Sequence, residues 1–152
     1  MTMLFALACQ PIATLTDPEA FDIVTDAPVE DLFEPPCEIW WVGDGLVETS
    51  TALCGLLSIG QPLLDGLQAG ERLETTIDWD VLQAEVPAEA HIALWVGQEV
   101  VAERWLSVPG PAGFERITWS VRRDVAKGTQ MGWHLHNHGE NTYRFGPLRR
   151  RN

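Results

Sequence analysis

With 152 residues, 45% of them apolar and seven of them Trp, the chain fits one folded domain with an interior of its own, which excludes the disordered class. The formal charge of −12 is unevenly spread, because residues 1–71 contain twelve acids and no Lys or Arg, whereas residues 72–152 hold ten acids and ten bases. Such a surface repels phosphate, and no apolar run approaches the ~20 residues of a membrane helix, so neither nucleic acid nor membrane is an expected partner.

The chain begins with an apolar run, residues 3–9. Its end, Leu7-Ala8-Cys9, resembles a bacterial lipoprotein cleavage site, but no basic residue precedes it, so the expectation is a protein that is cytoplasmic when made. Residues 10–36 carry Pro11, Pro18, Pro28, Pro35 and Pro36 among acids. They read as an extended acidic N-terminal arm with one short helical turn near Pro18 to Phe21, capped by Asp17 with Pro18 at the first helical position. The predicted organisation is therefore an arm over 1–36 and a β domain over 37–152.

From residue 37 onward the hydrophobic period is two. In 73–81 the odd positions are Leu73, Thr75, Ile77, Trp79 and Val81, and the even ones are Glu74, Thr76, Asp78 and Asp80, a strand with one wet face. Similar runs occupy 38–42, 46–53, 91–96, 100–108, 117–121, 131–135 and 142–145. Turn signals separate them, among them Gly43-Asp44-Gly45, Gly97-Gln98-Glu99, the Pro- and Gly-rich stretch 109–113, and 137–141. Many short strands at such spacing predict an all-β fold, an antiparallel β-sandwich of immunoglobulin-like or jelly-roll-like type. The pentapeptide Ile77-Asp78-Trp79-Asp80-Val81 is echoed by Ile117-Thr118-Trp119-Ser120-Val121, as convergent strands would be. Residues 55–72, with Gly55, Gly60, Gly66 and Gly70, read as a long loop or distorted edge, and 137–141 as the turn of a terminal hairpin with Gly139 or Asn141 left-handed.

Neighbours on a strand face opposite sides, so of Trp40 and Trp41 one should stand outside the core, where it could act as a sugar-stacking platform or an interface anchor. Trp79, Trp119 and Trp133 fall on apolar faces and are predicted core. Along 131–135 the apolar face is Met131, Trp133 and Leu135. The opposite face carries His134 and His136, which could chelate a metal with Glu140 or the distant His91 as third ligand. The string from Gly128 to Gly146 resembles the first metal motif of the cupins at His134, His136 and Glu140, and its His-Leu-His-Asn-His core resembles a copper-ligand segment of multicopper oxidases. A cupin needs a second motif downstream, where only Pro147 to Asn152 follow, and the oxidases need a His-Cys-His segment, so neither family is assigned and no cofactor is expected. Cys9, Cys37 and Cys54 have no Cys-x-x-Cys spacing, which predicts neither a disulfide scaffold nor a zinc knuckle.

The charge split suggests a contact between the acidic arm and the Arg-rich tail, within one subunit or with a neighbour. Asp22, Asp26, Glu30 and Asp31 on one side and Arg149, Arg150 and Arg151 on the other are the candidate interface residues. The function read from the sequence is thus a non-enzymatic structural or interaction module that docks into a larger assembly of protein subunits as a homo- or hetero-oligomer, with a virion accessory protein such as a capsid decoration or head–tail component as the example. Two alternatives stand beside it: a carbohydrate-binding module using an exposed Trp, and a small metal-binding protein built on the histidine strand.

Overall fold

The computed structural model describes residues 14–29, 37 and 40–151. It is an all-β sandwich of two antiparallel sheets, as the period-two pattern predicts. One sheet has five strands in the order β1 (Asp22–Ile23), β4 (Leu56–Pro62), β9 (Gln130–His136), β6 (Ala88–Val96) and β7 (Glu99–Val108). The other has six: β11 (Arg149–Arg150), β5 (Arg72–Trp79), β10 (Thr142–Phe145), β3 (Leu46–Ser50) and β2 (Trp40–Gly43) in order, with β8 (Gly113–Ser120) also on β5.

Alternation fills the space between them. Leu57 and Ile59 of β4, Met131, Trp133 and Leu135 of β9, and Ile92 and Leu94 of β6 meet Val47 of β3, Leu73 and Ile77 of β5, Ile117 of β8 and Tyr143 and Phe145 of β10, each nearly or fully buried. Trp133 stacks on Phe145 across the sheets with centroids 4.9 Å apart. Trp133 is core as predicted, while Trp79 and Trp119 lie at its margin, half-buried. The echoed pentapeptides lie on paired strands, since β5 and β8 are antiparallel partners with Leu73 opposite Trp119 and Thr75 opposite Ile117.

Three local readings change. Residues 56–62 are not a loop but strand β4, inside the five-stranded sheet; Gly60 is there because the Trp95 indole and Val24 occupy the space a Cβ would take. The segment after β9 is not a hairpin turn, because β9 and β10 belong to different sheets and the chain arches between them. That arch is held by a buried polar cluster. Asn137 Nδ2 donates to Thr51 Oγ1 at 2.7 Å, Asn141 Nδ2 donates to Asn137 Oδ1 at 3.1 Å, and Tyr143 OH donates to Asn137 Oδ1 at 2.7 Å. Gly139 takes the left-handed conformation, as expected, at φ 90°. Burial pushes the Tyr143 phenol well above its ordinary range.

The third change is covalent. Cys37 and Cys54 form a disulfide with Cα atoms 5.1 Å apart, against the expectation drawn from their spacing. The cause is topological: the Cys37 amide donates to the Leu56 carbonyl at 2.5 Å, which sets Cys37 beside the start of β4, next to Cys54.

The described part of the arm packs against the sandwich. Asp17 caps the 3-10 turn Pro18–Ala20 by accepting from the Glu19 amide, as predicted, and Leu15 is fully buried. Among the described residues no helix is long and apolar enough to cross a membrane.

Candidate functional site

The outward face of the six-stranded sheet carries one continuous cross-strand row. Register places Trp41 of β2 opposite Glu48 of β3, Glu48 opposite Arg144 of β10, Arg144 opposite Asp78 of β5, and Asp78 opposite Phe114 of β8. Four strand steps separate the ends, about 19 Å at the usual spacing. Both ends are open aromatics, with Trp41 54% and Phe114 64% exposed, whereas Trp40 turns inward against the core. The alternation of Trp40 and Trp41 thus resolves as the sequence requires, one in and one out.

Between the two rings lies a hydrogen-bonded ladder centred on Arg144. Its Nε donates to Glu48 Oε2 at 2.5 Å, its Nη1 to Asp78 Oδ1 at 3.0 Å and to Asp80 Oδ1 at 3.1 Å, and its Nη2 to Asp80 Oδ2 at 3.2 Å. The guanidinium fork fixes three carboxylates at once, and those hydrogen bonds raise the pKa of Arg144 above its already high range. Three acids around one base leave the strip net negative. Chemically, the face offers two apolar ring surfaces and between them a rigid set of acceptors and donors. Sequence reading missed Phe114 and Arg144, because strand register alone brings them onto one row with Trp41.

The predicted metal strand lies on the other sheet, on its outward face. His134 and His136 share that face as expected, but both are buried, and of the two candidate third ligands His91 is the one that register brings close, opposite His136. The His91 and His134 rings are 5.5 Å apart, and His134 Nδ1 and Ser58 Oγ share a hydrogen bond at 2.9 Å. Burial lowers the His134 pKa to about 4, helped by the neighbouring His91 and His136. Glu140 stands apart, exposed in the arch beyond β9. Among the described residues no group of three or more His, Cys, Asp or Glu is placed to hold a metal. At the edge of this patch Trp105, 59% exposed, stacks on His91 with ring centroids 4.1 Å apart, and Glu103 hydrogen-bonds His91 at 3.2 Å.

The arm and the tail do meet, through backbone. Leu15 N donates to the Leu148 carbonyl at 2.7 Å, and Thr14 bridges Arg149. Two of the tail's charges go elsewhere, since Arg150 pairs with Asp65 at 3.0 Å and Glu71 at 3.1 Å and Arg151 lies 4.0 Å from Glu74, while Arg149 is exposed. Asp22 and Asp26 are exposed without an ion pair to the tail, and Glu30 and Asp31 lie outside the described residues.

No family model matches the chain, and no curated protein matches it. Solved structures do. One described as "CBM4 structure and function" aligns with a TM-score of 0.44 at 13% identity, covering 74% of this chain and 76% of that one. "Family 16 Carbohydrate Binding Module-2" aligns at 0.44 and 8% identity over 71% and 78%. The CBM22-1 xylan-binding domain of Xyn10C from Paenibacillus barcinonensis aligns at 0.41 and 12% identity over 94% and 97%.

Proposed function

We propose that this chain is a non-catalytic carbohydrate-binding β-sandwich that holds a neutral glycan along the open face of its six-stranded sheet. The observation that carries the reading is the row itself, with Trp41 and Phe114 exposed at its two ends and the Arg144 ladder between them. A pyranose has a face of C–H groups that packs on an aromatic ring and a rim of hydroxyls that needs donors and acceptors in fixed places. The row supplies both. Its excess of carboxylates disfavours uronic, sialic or sulfated sugars, which selects neutral chains.

What supports this reading over docking through the tail is that Arg150 and Arg151 are engaged inside the chain, which leaves only Arg149 of the three exposed without an ion pair among the described residues. The Cys37–Cys54 disulfide supports an oxidising compartment as the place where the module works. The test is a glycan array followed by affinity electrophoresis in soluble neutral polysaccharides. Retention of the wild type, lost in Trp41→Ala, is the expected result; absence of any glycan ligand, with protein partners found instead, would overturn it.

A further inference from the structure

The two sheets leave one side of the sandwich unclosed, where β7 and β8 are edge strands facing each other. Near the turn that joins them the edges are pinned by the ion pair of Arg104 with Glu115. Toward the other end they part, and a cleft of about 570 Å³ opens between them. This volume lies in the ordinary range of small-molecule sites, roughly 300–1,000 Å³.

Its walls are the exposed end of the core. Val96 and Val101 come from the β6–β7 hairpin, Trp119 from the end of β8, Val121 from just beyond it, and Leu67 and Val125 from the loops beneath. Leu67, Val96 and Val121 are almost completely buried, so the floor is continuous with the packed interior, while the flank of Trp119 is half-exposed. The cleft's surface is about equally polar and apolar, so water over the apolar floor is displaced favourably by an apolar group while the polar rim stays available to a charged one.

The mouth is charged, and its charges are not equivalent. Glu99 is paired with Arg122 at 3.2 Å across the opening. Asp124 accepts the Ala69 amide at 2.8 Å and so is tied to the loop. Arg123, on the same rim, has no ion pair among the described residues. In a chain of net charge −12 this lip therefore keeps an uncommitted cation next to an apolar slot.

We infer that the cleft is a second ligand site, separate from the glycan face, for a small amphipathic anion: an aromatic or short aliphatic acid whose apolar body lies between Val101 and Trp119 and whose carboxylate or sulfonate meets Arg123. The site lies between the sheets, not on their faces, so it works with or without a glycan on the Trp41 row.

The test titrates the full chain with 1-anilinonaphthalene-8-sulfonate, a fluorescent probe of this chemistry, and then displaces it with 3-phenylpropionate. Saturable binding at one probe per chain is expected, reversed by phenylpropionate, in protein whose melting is cooperative. Val101→Trp fills the slot and should weaken the probe by roughly tenfold or more. Arg123→Glu, an exposed change that leaves the fold alone, should weaken it several-fold while leaving the uncharged N-phenyl-1-naphthylamine unaffected. Trp41→Ala should change neither. Failure of the probe to saturate, or its undiminished binding by Val101→Trp, overturns the site; undiminished binding of the anionic probe by Arg123→Glu, or an equal loss of both probes, overturns the anion. None of these outcomes depends on whether a glycan is found.

Discussion

The Trp95 indole lies across Gly132, its partner in the pairing of β6 with β9, and reaches Gly60 on the next strand, where a Cβ would stand 2.9 Å from Trp95 Cη2. The ring therefore occupies the outward side of three strands, and two glycines make room for it. A Cβ on Gly132 would run into both this ring and the Ile59 carbonyl, within van der Waals distance. Gly132→Ala should cost about 2–4 kcal/mol, through overpacking against backbone that cannot yield. Gly43→Ala, where a Cβ meets nothing within 4 Å, should be nearly neutral. Urea denaturation of the two variants gives the comparison.

On the glycan face, Trp41→Ala and Phe114→Ala should each weaken binding of a neutral oligosaccharide by roughly tenfold, since an exposed stacking ring contributes on the order of 1–2 kcal/mol. Both residues are more than half exposed, so melting temperatures should stay close to the wild type. Isothermal titration and calorimetry separate the two effects. A large fall in stability without loss of affinity would show that these rings serve folding instead.

The Cys37–Cys54 bond closes a short loop, the two residues being 17 apart in sequence. A loop of that size restricts the unfolded chain by about 3 kcal/mol on the chain-entropy account. Reduction, or the Cys37→Ala and Cys54→Ala double variant, should lower the melting temperature by roughly 6–12 °C. Insensitivity to reductant at equilibrium would mean that the thiols are not joined in solution.

His134 sets a pH dependence whose sign is fixed by its burial. Its folded pKa is about 4, against 6.5 for an unperturbed histidine. Between those values the unfolded chain binds more protons than the folded one, so stability falls as the pH drops from about 6.5 to about 4, by up to about 3 kcal/mol. His134→Gln removes the titration while keeping a hydrogen-bonding partner for Ser58. The variant's melting temperature should therefore decline less than the wild type's over that range, and parallel declines would exclude this histidine as the cause.

The sandwich was legible from the sequence because alternation is a local signal: Leu73, Thr75, Ile77 and Trp79 against Glu74, Thr76 and Asp78 could only be a half-buried strand. The outward turn of one of Trp40 and Trp41 followed from the same rule. Strand β4 was hidden because Gly55, Gly60 and Gly66 look like loop punctuation until Trp95, thirty-five residues beyond Gly60, is seen lying over one of them. The disulfide was hidden for a similar reason, since the placing of Cys37 beside the start of β4 is a tertiary fact. The row from Trp41 to Phe114 joins five strands from four separate stretches of chain, and no spacing in the sequence encodes that register. His134 and His136 were placed on the right face, but their burial depends on packing that periodicity does not report.

The backbone contact of Leu15 with Leu148, and of Thr14 with Arg149, makes the two extremities of the described fold near neighbours. Topologically the domain is almost a closed ring. With Thr14 and Arg151 joined through a short linker, it could be opened at the Gly97-Gln98 turn, where Gln98 is exposed, without breaking a strand, and the permuted chain should fold to the same sandwich. The same adjacency means that the described fold from Thr14 to Arg151 could be spliced into a surface loop of another protein, with entry and exit at one spot.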